Sequence, residues 1–333
     1  MSVDPIRRRP KAFPPPEFPP RKPKLFARTP PAVFPVLLGL IGLALALRRG
    51  LAGFDLAAGL VEALVGALVA GWAFAWLALA AKIARRPGVL AEDLRVLPGR
   101  SGMASATVSV MAMASLVLPY APGLTLALLW AGLVLHALLT VVLIRVLIAL
   151  PPEARGVNPG MHLSFVGFIV AAVPAAQIGQ TGLATGLLWA TLPVAALIWG
   201  ISLAQLIRRI PPAPLRPMLA IHLAPAALFA TVAIMVGQPA LAQAFAAFGA
   251  VILLALIAAS RWITSAGFSP LWGAFGFPMT AYASALLTLG GAWGSAGNLV
   301  LGAAFLIIPP LSWQVLKLWP AGRLAAKTNA AEA

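Results

Sequence analysis

The sequence contains no cysteine. Disulfides, thiolate metal sites and cysteine nucleophiles are excluded together. Histidine is nearly absent too: His136, His162 and His222 lie far apart in sequence. That argues against paired haem ligands and His/Glu zinc clusters. The paired aspartate motifs that hold magnesium-diphosphate are missing as well. No enzyme activity, cofactor or metal is therefore expected. Charge is scarce overall, at 10% of 333 residues, while hydrophobic residues make up 61%. A soluble domain carries about 25% charged and about 45–50% apolar residues. A water-soluble globule is excluded.

What the sequence does contain is long apolar runs, roughly 17–26 residues each, continuous rather than alternating. In lipid, such runs satisfy their backbone as helices. Ten segments are predicted: about 32–47, 58–82, 102–119, 124–148, 160–178, 182–207, 217–236, 240–260, 270–290 and 295–318. Short uncharged turns join segments 3–4, 5–6, 7–8 and 9–10. Ile178-Gly179-Gln180 and Gly237-Gln238-Pro239 are examples. The layout is five antiparallel hairpins. Residues 32–319 form the transmembrane domain, and 320–333 a short cytoplasmic tail.

Residues 1–31 hold ten prolines and eight Lys/Arg, with Pro14-Pro15-Pro16 and Pro19-Pro20 among them. They read as a disordered or polyproline cytoplasmic tail, too long and proline-rich for a signal peptide. Phe13, Phe18 and Phe26 sit among its charges. The tail is either a solvated tether or a segment that docks on anionic lipid or on the protein's own inner face.

The net charge of +16 resolves by topology. Of 24 basic residues, 22 fall in the tails and in the connections on one side, and only Arg48 and Arg49 on the other. The positive-inside rule then puts both termini in the cytoplasm. Lys82 and Arg145, at helix ends, are expected to snorkel. The basic inner face is either a topology label alone or also a concentrator of anions. The charge gives no support to nucleic-acid binding.

Segments 5, 7 and 9 each contain an interior proline, Pro174, Pro225 and Pro278, at spacings of 51 and 53 residues. Segment 3 lacks one, and Pro193 interrupts segment 6. Proline kinks a helix, and in lipid a kink is best placed among neighbours or water. Odd segments are therefore expected inside, around an axis, and even segments outside. In segment 9, Phe277, Thr280, Ser284 and Thr288 fall within about 80° of one another on a helical wheel. This face suits a pore, with hydroxyls replacing hydration water and a ring blocking the way. Hydroxyls bonded back to their own helix beside a packed Phe form the competing reading. Glu62 is the one carboxylate inside a predicted span. It is a functional candidate or a partner of Arg48 or Arg49. His222 either faces the path, lending pH sensitivity, or packs.

The Phe277-Pro278-Met279-Thr280 stretch after Trp272 resembles the ninth helix of the TehA-like family. That family holds tellurite-resistance proteins, C4-dicarboxylate transporters, fungal sulfite exporters and plant slow-type anion channels. Pro31-Ala32-Val33-Phe34-Pro35 with Gly39-Leu40 is similar to its first helix. Leu215-Arg216-Pro217 with His222-Leu223-Ala224-Pro225 is similar to its seventh. The resemblance spans about 30–320. It implies an all-α membrane protein with a pseudo-fivefold bundle around a central pore, a pore-occluding Phe at Phe277, and a homotrimer. Small inorganic or organic anions are the implied partners besides the bilayer. A channel is one expectation. A proton-coupled or exchange exporter of tellurite, sulfite or C4-dicarboxylates, with Glu62 or His222 titrating, is the other.

Overall fold

A computed structural model describes residues 24–52 and 55–333, and no strand occurs among them. The tail's proline runs, with Phe13 and Phe18, lie outside the described residues. The helices are α1 (Phe34–Gly50), α2 (Asp55–Arg85), the short α3 (Val89–Arg95), α4 (Leu97–Val117) and α5 (Pro122–Ala149). Next come α6 (Ile169–Gln177), α7 (Thr181–Arg208), α8 (Leu223–Met235), α9 (Pro239–Ala258) and the single turn α10 (Ser260–Ile263). The chain closes with α11 (Gly276–Leu289), α12 (Gly291–Leu316) and α13 (Arg323–Lys327).

Seven segments among the described residues are long and apolar enough to cross a membrane: those built on α1, α2, α5, α7, α8, α9 and α12. The chain is a multi-pass membrane protein. The segments of α4, α6 and α11 fall short for physical reasons. Helix α4 spreads Arg100, Ser101, Ser105, Thr107, Ser109 and Ser115 along its length. Segment 5 opens in a π turn, His162–Val166, and segment 9 in a 3-10 turn, Pro270–Phe275.

Contacts close on themselves. Helix α1 packs on α4, α4 on α6, α6 on α8, α8 on α11, and α11 back on α1. Each of α2, α5, α7, α9 and α12 packs on its hairpin partner and also on the next helix of that ring. Burial divides the two sets. The α1 segment is 78% buried over its most apolar window, and the α9 segment 17%. Small residues allow the inner helices to approach closely. A Cβ on Gly39 would stand 2.9 Å from the Cα of Gly276, so α1 and α11 touch backbone to backbone.

Pro225 and Pro278 act differently from the expected mid-helix kinks. Pro35 is the second residue of α1, and Pro225 and Pro278 are the third residues of α8 and α11. In a first turn, the missing N–H has no intrahelical partner to lose. Each of these helices follows a 3-10 turn, so the chain changes gauge just before the proline. Pro174 alone lies deeper, in α6. Interior proline does not separate inner from outer helices either: Pro193 lies within α7, and Pro309 and Pro310 within α12. A turn repeats instead. Gly179 and Gly237 take φ of 81° and 76°, and the following Gln180 and Gln238 N–H groups each reach back 2.8 Å, to the Ala175 and Ala233 carbonyls. This glycine-based stop folds two hairpins alike.

The two ends of the described chain meet. The Ala333 N–H donates to the Ala27 carbonyl at 3.0 Å, and Arg28 pairs with Glu332 at 2.6 Å. Between them lies Lys82, which does not snorkel. It is 0% exposed, pairs with Asp93 at 2.7 Å, and donates to the Thr29 carbonyl at 3.0 Å. The other Asp93 oxygen accepts from the Ala331 N–H at 2.7 Å. The C-terminal segment thus supplies the third hydrogen bond that a buried ion pair needs.

Candidate functional site: a cavity line through the inner helices

Three cavities follow one another along the inner helices. The first is lined from all five: Arg49 of α1, Ser115 of α4, Val173 of α6, Thr231 of α8, and Phe277 and Ser284 of α11. The second is bordered by His162, Val166, Ala224, Leu228 and Phe277. The third lies at the other end, among Pro35, Ser101, Leu163, Ile221, Leu271 and Thr328. Residue numbers rise together along every inner segment from the third cavity to the first. The five inner segments therefore run in the same direction. From Ala32 to Arg49, at 1.5 Å per residue, the line covers roughly 25 Å, close to the hydrocarbon thickness of a bilayer.

Phe277 borders both the first and second cavities and is 7% exposed. Its backbone is set by Pro278, and its ring stands beside α1, where a Cβ on Gly42 would lie 3.3 Å from the Phe277 Cδ2. Leu163 and Ile221 border both the second and third cavities.

The other expected residues divide. Ser284 lines the first cavity and accepts a hydrogen bond from Arg49. Thr280 is not among its lining residues. Its hydroxyl donates within 3.1 Å of the Gly276 and Phe277 carbonyls and faces Gly42. Thr288 donates to the Ser284 carbonyl at 2.8 Å. Glu62 pairs with Arg48 at 3.3 Å, and Arg48 also reaches the Leu116 carbonyl and the Tyr120 hydroxyl. His222 lies off the line, against Trp199, and contacts His162 at 3.0 Å between ring nitrogens. His162 does border the second cavity. His136 bonds Thr107 across α4 and α5 at 2.7 Å.

Two features are not visible in the sequence. Arg49, a topology charge and possible Glu62 partner by position, instead enters the cavity line. The histidine pair joins positions 60 residues apart, so no local spacing could reveal it. Larger grooves do exist, one among α9, α11 and α12 and one between α7 and α9 beside His222, both with almost wholly apolar walls, as a lipid-facing surface would have. No cluster of metal ligands occurs among the described residues.

A line of cavities along the inner helices of a membrane protein is what a permeation path requires. The chain belongs to the SLAC1 family of voltage-dependent anion channels, whose profile matches residues 28–317. This is the family that the TehA-like resemblance indicated. A comparison with curated proteins returns no match. The protein is a membrane anion channel or transporter.

Proposed function

We propose that the chain passes small anions through the centre of a pseudo-fivefold bundle of five hairpins, and that the Phe277 ring is the barrier. The observation that carries this reading is one aromatic ring bordering two successive cavities. The closed contact order of α1, α4, α6, α8 and α11 supports the bundle. Neither acid nor base stands beside the ring on α11 itself, so the barrier is steric and apolar, and a rotation of the side chain would lower it. The orientation proposed is a bacterial inner membrane with both termini in the cytoplasm, supported by 22 of 24 basic residues on one side. A monovalent anion leaving a negative interior then gains about 2.3 kcal/mol per 100 mV, and no coupling is required. The homotrimer implied by the resemblance belongs to the same proposal, and the mass of the purified protein tests it.

The test is Phe277→Ala in proteoliposomes. Chloride or nitrate flux rises about tenfold or more, equivalent to about 1.4 kcal/mol off the barrier. Unchanged flux in well-folded protein overturns the gate. A second reading, proton-coupled export, draws on the His162–His222 pair beside the second cavity. It requires flux to follow an imposed pH gradient at zero voltage, whereas a passive path follows voltage.

A further inference from the structure

We infer that the first cavity is a built binding site for one small monovalent anion, held by the Arg49 guanidinium and the hydroxyls of Ser115 and Ser284. This deepens the reading of the bundle as an anion path and rests on it. Adjacent arginines at the end of α1 divide their roles. Arg48 is occupied by Glu62, the Leu116 carbonyl and the Tyr120 hydroxyl. Arg49 turns into the cavity, where its partner is the neutral hydroxyl of Ser284. No carboxylate is among the lining residues described.

The hydroxyls are arranged to donate. Ser284 accepts from Arg49, which leaves its own proton for a ligand. Ser115 is 4% exposed, lines the cavity and has no hydrogen-bond partner for its Oγ. A buried hydroxyl without a partner is costly, and an anion in the cavity would accept its proton. Thr231, on the same wall, does not count as a donor, because its proton goes to the Ala227 carbonyl at 2.9 Å. The remaining walls are apolar: Leu45, Val170, Val173, Leu228 and Phe277.

Charge and wall chemistry define the ligand. One guanidinium balances one negative charge, and a dianion would leave its second charge uncompensated among aliphatic side chains. The site therefore takes halide- or nitrate-like anions and rejects sulfate and dicarboxylates. It lies beyond Phe277 from the basic mouth, so an anion that passes the ring finds a partial replacement for its hydration shell.

Two measurements on the full-length protein separate the site from the path. The first is thermal unfolding in detergent at fixed ionic strength, with nitrate, chloride or sulfate as the anion. Nitrate and chloride raise the Tm of the unaltered protein above that of Arg49→Gln by mass action, whereas sulfate, a general stabiliser excluded from protein surfaces, shifts both alike. Arg49→Gln, Ser115→Ala and Ser284→Ala each diminish the rise, and Arg49→Lys retains part of it. The second is the concentration dependence of nitrate flux in the Phe277→Ala background. Adding Arg49→Gln raises the half-saturating concentration about tenfold, the scale of one lost charged hydrogen bond. An equal Tm rise in all variants, no rise in any, a sulfate rise that Arg49→Gln diminishes, or unshifted saturation overturns the site. A Tm rise lost on Arg49→Gln while Phe277→Ala carries no flux leaves the site standing and overturns the path. Should Arg49→Gln fail to fold, the two serine variants read the same quantities.

Discussion

Lys82 ends a span, where a lysine ordinarily lays its stem along lipid and keeps its ammonium wet. Here the ammonium is fully enclosed, and Asp93 beside it is 1% exposed. Pairing of this kind is stable only while every partner remains. Asp93→Asn removes the compensating charge and keeps a single acceptor oxygen, so the amide NH2 faces either the ammonium or the Ala331 N–H. It is expected to destabilise by about 3–5 kcal/mol, read as a fall in Tm. Replacing Glu92, which pairs with Arg86 at the surface at 2.5 Å, is expected to change Tm little. A double-mutant cycle with Lys82→Met and Asp93→Asn would return a coupling well above the surface value. The Lys82 case marks one limit of reading side chains by class. A lysine's position in a span predicts snorkelling, but a carboxylate eleven residues on, folded back by α3, captures it.

At the scale of elements, glycine controls how closely helices meet. Gly39 of α1 faces Gly276 of α11 so closely that an added Cβ meets backbone, which cannot step aside. Gly39→Ala is expected to cost about 1–3 kcal/mol by overpacking. Gly66, on α2, has nothing within 4 Å of its Cβ position. Gly66→Ala is expected to be neutral or to stabilise by about 0.5–1 kcal/mol, since alanine favours the helix. Thermal unfolding of the two variants side by side checks both signs. The same interface explains what the helical wheel of segment 9 could and could not tell. It placed Phe277 and Ser284 on one face, and both line the first cavity. It placed Thr280 there too, but Gly42 lets α1 close over that side and the hydroxyl folds back on its own helix. A wheel knows directions around one axis and nothing of the neighbour's distance. Seven of the spans were legible because lipid demands long apolar runs. The order in which the inner ones close was not, because helices wrapped all round by apolar residues carry no directional signal.

At the scale of the whole molecule, the ring closes only when α1 and α11, from opposite ends of the chain, pack together. The terminal segments fasten it again through Ala27, Arg28, Glu332 and Ala333. Joining the ends this way fixes them on one side of the bundle, the side where Arg85 donates to the Leu25 carbonyl and Arg86 pairs with Glu92. The orientation proposed above makes this side cytoplasmic, and the absence of native cysteine makes the point open to a clean test. Ala154 lies exposed between α5 and the π turn of segment 5, and Thr181 lies exposed at the start of α7. In the five-hairpin bundle proposed above one span separates them, which puts them in opposite compartments. In intact cells a membrane-impermeant maleimide is expected to label Thr181→Cys directly and Ala154→Cys only after permeabilisation. The reverse pattern would turn the bundle over. Arg49 and its cavity would then face the cytoplasm, the basic mouth would face outside, and the direction in which the membrane potential drives anions past Phe277 would invert with them.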